Sequence, residues 1–242
     1  LKEVSSFSRF VNVPELISLY SEIADTKTAD MLNLPRPKVV APDGKEGIEI
    51  VKVPPSEAEE KYIENLVKLA ESLKGKKPEK GQPNMLSVVT LGRKVATDGR
   101  LVGLPVNENG KIAAASRNIY DIWKEGKDPG TVQMVFLDMG VPQSKSAPKK
   151  AAAEEGEIEG DLDPVFQKYS VDLYADLKAR LVAMGIPAKQ IATIHEANDD
   201  QKKAKLFAKV RSGEVRVLIG SSEKMGVGTN VQDRLIAMHH LD

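Results

Sequence analysis

Residues 215–242 read VRVLIGSSEKMGVGTNVQDRLIAMHHLD. The first five, Val215 to Ile219, are an apolar run of the length of a buried strand. A small polar turn follows, then Gly226-Val227-Gly228-Thr229-Asn230, then a second apolar strand from Leu235 to His239. Glycines and hydroxyls just past the end of a buried strand are how α/β folds bring backbone N–H groups against phosphates. The stretch therefore predicts a nucleotide- or phosphate-facing turn at the carboxyl end of a parallel sheet.

Working outward, the same βα alternation continues upstream. Val132 to Leu137 is a buried strand ending at Asp138, and Val171 to Met184 is a helix closed by Gly185. Ile191 to Ile194 is a short strand. Asn198 or Asp199 caps a helix that runs to Arg211 and closes at Gly213. Strands alternating with helices of this length predict a parallel sheet with helices on both faces.

The first half reads differently. Residues 3–13 are expected to be irregular. Pro14 opens a helix to about Ala24, and Thr28 to Leu34 forms a short second one before Pro35 and Pro37. Ile48 to Val53 alternates as a strand does. Ser56 with Glu59 has capping-box spacing ahead of a long helix whose apolar stripe runs from Tyr62 to Leu73. After a Lys/Gly/Pro loop, Gly75 to Pro83, helices are expected over Asn84 to Ala96 and Ala113 to Trp123, with a loop over Leu101 to Asn109. Trp123 lies on an apolar stripe and is expected in the core or in interlobe packing. Residues 142–163, rich in lysine, alanine and acid, cannot build a core and read as a solvated insertion. The expected organisation is a mainly helical segment over 1–110 and an α/β lobe over 111–242. No internal repeat is visible.

Composition narrows the function. The 242 residues are 41% hydrophobic, and 35 Lys and Arg balance 35 Asp and Glu. Zero net charge argues against an autonomous, strongly basic nucleic-acid binder, while a local basic face remains compatible with it. There is no cysteine, which excludes disulfides, thiolate metal sites and cysteine nucleophiles. No apolar run approaches the roughly 18 residues of a membrane span, and no signal pattern is present, so a cytoplasmic protein is expected. The chain starts at Leu1 and stops just after a strand, which reads as a piece of a longer polypeptide.

Read together, Ser221 to Gln232 resembles motif V of superfamily 2 helicases in the form used by Swi/Snf-type DNA translocases. Gln133-Met134-Val135-Phe136 resembles motif IV. Ile194-His195 and the helix through Phe207 to Val215 resemble the segment between them, and His239-His240-Leu241-Asp242 the start of the next motif. Leu34-Pro35-Arg36-Pro37 and the long helix with Tyr62 resemble the connection between lobes. The stretches FVNVPEL, TADMLNLPRP and KMGVGTNVQDRLIAMHHLD are similar to large phage- and mobile-element proteins that join a helicase to an adenine-DNA methylase.

The resemblance implies a RecA-like second helicase lobe, P-loop NTPase-like in fold, preceded by a helical extension. It implies nucleotide contacts at Gly226, Gly228, Thr229 and Asn230, and DNA-backbone contacts at Ser221, Ser222, Lys224 and Gln232. The glycines are needed for close approach or a positive φ. Phosphate contacts of this kind position DNA without reading its sequence. ATP and Mg2+ would be held mainly by a first RecA-like lobe of the same polypeptide. The partners implied are that lobe and DNA, most naturally duplex, and no membrane.

This chain carries no catalytic set of its own. Gly44-Lys45, Gly75-Lys76, Gly110-Lys111 and Gly126-Lys127 lack the glycine spacing and following Ser or Thr of a phosphate loop. There is no Asp-Glu dipeptide to hold a metal and no Asn-Pro-Pro-Tyr-like methylase motif. The arginine-rich motif VI would begin after Asp242. The chain alone is therefore expected not to hydrolyse ATP. Two other readings stay open: a non-catalytic interaction module on a degenerate helicase fold, and a different nucleotide-binding α/β enzyme such as a transferase. His195 reads as a strand-end residue with a satisfied hydrogen bond. His239 and His240, adjacent on one strand, point to opposite faces and cannot share a metal.

Overall fold

The computed structural model describes residues 11–25, 27, 29–32, 38–41, 44–75, 82–126, 130–142, 169–226 and 229–242. The chain divides into two compact units, Leu1–Val51 and Lys52–Asp242. Residues 3–10, the Leu34–Pro37 connection and, from residue 143 on, the insertion expected over 142–163 lie outside the described residues.

In the first unit, helix α1 spans Val13–Ser21 with Pro14 in its first turn, and α2 spans Ala29–Leu32. The segment expected as a strand, Ile48 to Val53, forms none. It is extended chain, and Ile48 and Ile50 are 84% and 80% exposed. Alternation alone makes no strand where no second strand offers a ladder of hydrogen bonds.

The second unit opens with α3, Glu57–Leu73. Its capping box is complete: the Ser56 hydroxyl accepts from the Glu59 N–H, and the Glu59 carboxylate accepts from the Ser56 N–H. Helix α4, Met85–Thr97, starts on the Asn84 side chain, which accepts from the Ser87 N–H. These helices share a small core of Leu66, Val88, Leu91, Val95 and Val102. A 3-10 turn, Gly99–Val102, replaces the start of the expected loop.

Next come α5 (Lys111–Glu125), β1 (Val132–Phe136), α6 (Leu173–Ala183) and β2 (Ile191–Thr193). They are followed by α7 (Asp200–Ser212), β3 (Val217–Gly220), α8 (Ser222–Met225) and β4 (Leu235–His240). Asp199 caps α7 by accepting from the Lys202 N–H, and Gly213 closes it at φ 80°, where a side chain would be strained.

The four strands form one all-parallel sheet in the order β2-β3-β1-β4. The fold is α/β, a parallel sheet flanked by helices on both faces, as RecA-like folds are. In-register partners share a face: Val135 with Ile219 on one side, Met134 with Leu218 on the other. The first face packs Leu173, Tyr174, Leu177 and Leu181 of α6 with Ile112, Ile119 and Trp123 of α5. The second packs Val210 of α7 with Met225 and Val231, and the half-buried Leu206 and Phe207 lean on it. Burial on both faces is why strands β1 and β3 are mainly apolar rather than alternating, and the one polar side chain of β1, Gln133, is hydrogen-bonded inside.

One charge is buried within this frame. Arg216 is 5% exposed, and its guanidinium donates to the carbonyls of Trp123, Gly126 and Thr131. Those are the last carbonyls of α5 and the turn after it, the negative end of the helix dipole, so the cation needs no carboxylate partner. The guanidinium also stands 5.2 Å from the centre of the Trp123 ring.

Candidate functional site

Parallel strands gather all four carboxyl ends on one edge. Between β1 and β2 in the chain, α6 packs on one face, while Met225 and Val231, between β3 and β4, pack on the opposite face. Adjacent strands whose connections part in this way open a crevice beyond their carboxyl ends, the usual ligand position in open α/β sheets. β1 and β3 are that pair here. The residues just beyond them are Asp138 and Met139 on one side and Ser221 to Gly226 on the other.

Carboxylates tie the edge together. Asp138 Oδ1 accepts from the Ser222 N–H at 2.6 Å. Asp242, just past β4, accepts from the N–H groups of Asp138 and Met139, the second at 3.3 Å. Burial raises the pKa of the Asp242 carboxyl; the two amides and Lys111 oppose that, and Asp138 adds to it. Lys111, at the start of α5, is lowered by its own burial, and Asp242 counters the shift. Three strand ends are thus linked through Asp138 and Asp242.

The turn after β3 is a single helical turn. Ser221 is buried, and its carbonyl accepts from the N–H groups of Lys224 and Met225. The Gly226 N–H donates to the Ser222 carbonyl at 2.7 Å. The N–H groups of Ser222, Lys224, Met225 and Gly226 are therefore satisfied inside the chain. These four amides are not free to meet a phosphate, and the reason is local: Asp138 takes the first, and the short helix takes the rest. The exposed side chains of the turn are Ser222, Glu223 and Lys224.

Gly226 has φ −73°, so it is not there for a left-handed turn. Close approach accounts for it instead: a Cβ at Gly226 would stand 2.5 Å from the Ser222 carbonyl oxygen. Gly228 lies outside the described residues. Thr229 is half-buried and Asn230 exposed, and the Asn230 carbonyl accepts from Arg211 of α7 at 3.0 Å. Gln232 opens a 3-10 turn, Gln232–Arg234, and is exposed. Ser221, Ser222, Lys224 and Gly226 are thus on one turn, and Thr229, Asn230 and Gln232 follow on the run into β4.

Three residues complete the edge that pattern reading left without a role. Asp138 marks only a strand end in the sequence, yet it grips Ser222. Gly220 lets the turn fold back, since a Cβ there would meet Met225 Sδ at 2.6 Å and Ile194 Cγ2 at 2.7 Å. His195 sits in the 3-10 turn Ile194–Glu196 after β2. Its Nδ1 is 3.0 Å from the Lys224 ammonium, while its buried Nε2 has no partner among the described residues. The expected satisfied histidine is satisfied on one nitrogen only.

The last strand's histidines face opposite ways. His239 is buried with its Nε2 2.9 Å from Gln133 Oε1, whereas His240 stacks on Phe136 with ring centres 4.8 Å apart. Trp123 lies in the core, and its indole N–H donates to Gln190. Among the described residues no group of three His, Cys, Asp or Glu side chains could hold a metal ion. The edge therefore offers hydroxyls, one lysine and a glycine turn for phosphate or ribose contacts, beside the carboxylates of Asp138, Asp242 and Glu223, of which the first two accept from backbone N–H groups. Among the described residues no helix is long and apolar enough to cross a membrane.

No protein-family model, curated protein or solved structure matches the chain.

Proposed function

We propose that the chain supplies the second, RecA-like lobe of an ATP-dependent DNA helicase or translocase that acts in the cytoplasm. It would complete from one side an ATP site whose phosphate loop and Mg2+ ligands belong to a first lobe of the same polypeptide. Gly226, Gly228, Thr229 and Asn230 would face the nucleotide. Ser221, Ser222, Lys224 and Gln232 would meet the DNA backbone, most naturally that of duplex. The single observation that carries this reading is the position of the Ser221 to Asn230 turn. It lies at the carboxyl end of β3, beside β1, where the sheet's connections part.

The geometry supports contact and positioning, not bond-making. Asp138 holds the turn, Lys224 supplies a point charge, and the hydroxyls supply short hydrogen bonds. Among the described residues no nucleophile is hydrogen-bonded to an adjacent base on this edge. ATP bound between lobes would bring the phosphoryl chemistry; this chain's share is to orient the turn against it.

The test compares ATP hydrolysis by the longer polypeptide the reading requires with that of the present chain, each with and without duplex DNA. The expected result is turnover accelerated by DNA in the former and none in the latter. A longer polypeptide indifferent to DNA overturns the motor reading in favour of an interaction module. Tight nucleotide binding by the present chain alone overturns it in favour of a self-sufficient nucleotide enzyme.

A further inference from the structure

We infer that His195 is a positioning residue for Lys224, holding the lysine at the carboxyl edge of β2 and β3 where it meets a nucleic-acid phosphate. The inference rests on the reading of this edge as a DNA-contacting motor lobe, and adds to it a residue on a different strand end.

The argument starts from a cost. A lysine ammonium has donors and no acceptor, so the ring nitrogen it meets, Nδ1 at 3.0 Å, must be the acceptor. The ring is then neutral, with its proton on Nε2. That nitrogen is buried and without a partner among the described residues. A buried donor left unpaired is rare and destabilising. An apolar residue at position 195 would avoid the penalty and still pack on the edge of the Tyr174 ring, 5.1 Å away. What an apolar residue cannot do is accept from Lys224.

The surroundings keep the imidazole in its accepting form. Its pKa is lowered by burial first and by the Lys224 charge second, with Asp172 opposing. Tyr174 of α6 packs on it through its ring, and its hydroxyl is spent on the Leu137 carbonyl. The adjacent Glu196 is paired with Lys178 at 3.1 Å and does not compete. Lysine on a flexible stem loses rotamer freedom on binding a phosphate. A lysine already held loses less, which is pre-organisation of the contact.

The test is a double-mutant cycle on the 242-residue chain. Duplex DNA affinity is measured by fluorescence anisotropy at low salt and across a salt series for wild type, Lys224→Met, His195→Leu and the double variant. His195→Asn, whose side-chain oxygen can accept from Lys224, is the rescue. Lys224→Met should weaken binding and reduce the salt slope by about 1. His195→Leu should fold at least as stably as wild type yet bind more weakly. The double variant should be no worse than Lys224→Met alone, and His195→Asn should recover much of the loss. In parallel, the His195 pKa read by NMR should rise in Lys224→Met, a shift that a purely packing role would not produce.

Two results overturn the inference. If the wild type binds duplex and His195→Leu binds equally well, or if its loss adds in full to that of Lys224→Met, His195 does not position the lysine and the lobe reading survives. If the wild type binds no duplex at low salt, the DNA-contact reading falls and takes this inference with it.

Discussion

At the scale of the residue, His239 shows how burial writes a pH dependence into the sheet. Its ring is 9% exposed and donates into Gln133, whose amide in turn donates to the Ile119 carbonyl. Burial first, and the neighbouring His240 second, hold its pKa at about 4, against an ordinary 6.5. A histidine with a depressed folded pKa binds fewer protons folded than unfolded, so acid favours unfolding. Its contribution is complete above pH 6.5 and is lost as pH falls toward 4. The shift corresponds to about 3 kcal/mol over that window. Urea unfolding at pH 7 and pH 4.5 measures it. His239→Gln can make the same donation to Gln133 without titrating, so its stability should fall less over the same interval. An equal fall would place the acid sensitivity elsewhere.

At the scale of the element, the ends of helices and strands carry most of the local information. Ser56 and Glu59, Asp199 and Gly213 were legible because a cap needs only residues within one turn, whereas Asn84, read as part of the helix, is its cap. Strands β1, β2 and β3 were legible because burial on both faces leaves short, mainly apolar runs. The Ile48 to Val53 alternation misled because a strand needs a partner, and alternation does not say whether one exists. The site was half legible. Its glycine turn could be read from Ser221 to Asn230, but Asp138 meets Ser222 across 84 positions, and His195 meets Lys224 across 29. No periodicity encodes those pairings. They follow from the strand order, which sets β1 between β3 and β4. Asp138→Ala tests the tie directly. The Ser222 amide should exchange with solvent about tenfold faster, the equivalent of about 1.4 kcal/mol of lost local protection. Unchanged exchange would mean that the turn is held by the Ser221 and Ser222 carbonyls alone.

At the scale of the whole molecule, the balance of charge decides how the chain can meet DNA. Several of its cations are committed internally. Arg100 bridges Asp98 and Asp176, each at 2.8 Å, and Arg180 joins Asp176 to Glu108. This network fastens the α3–α4 hairpin to α6. It leaves Asp176 with a lowered pKa, because the two arginines outweigh the burial that would raise it. Arg216 is spent on carbonyls, and lysines 202, 203 and 209 lie beside acids on or next to α7. With 35 cations against 35 anions, and Lys224 the one cation on the proposed contact turn beside the exposed Glu223, few phosphates can be neutralised. Counterion release counts those phosphates: each contributes about −0.9 to the slope of log affinity against log salt. A slope of roughly −1 to −2 is therefore expected for this chain on duplex DNA. A basic nucleic-acid binder making six or more contacts would give a slope of about −5 or steeper. A steep slope would place the DNA on some other face and remove Lys224 from its role. A shallow slope that flattens further in Lys224→Met would locate the contact at the turn after β3, where the carboxyl ends of the sheet converge.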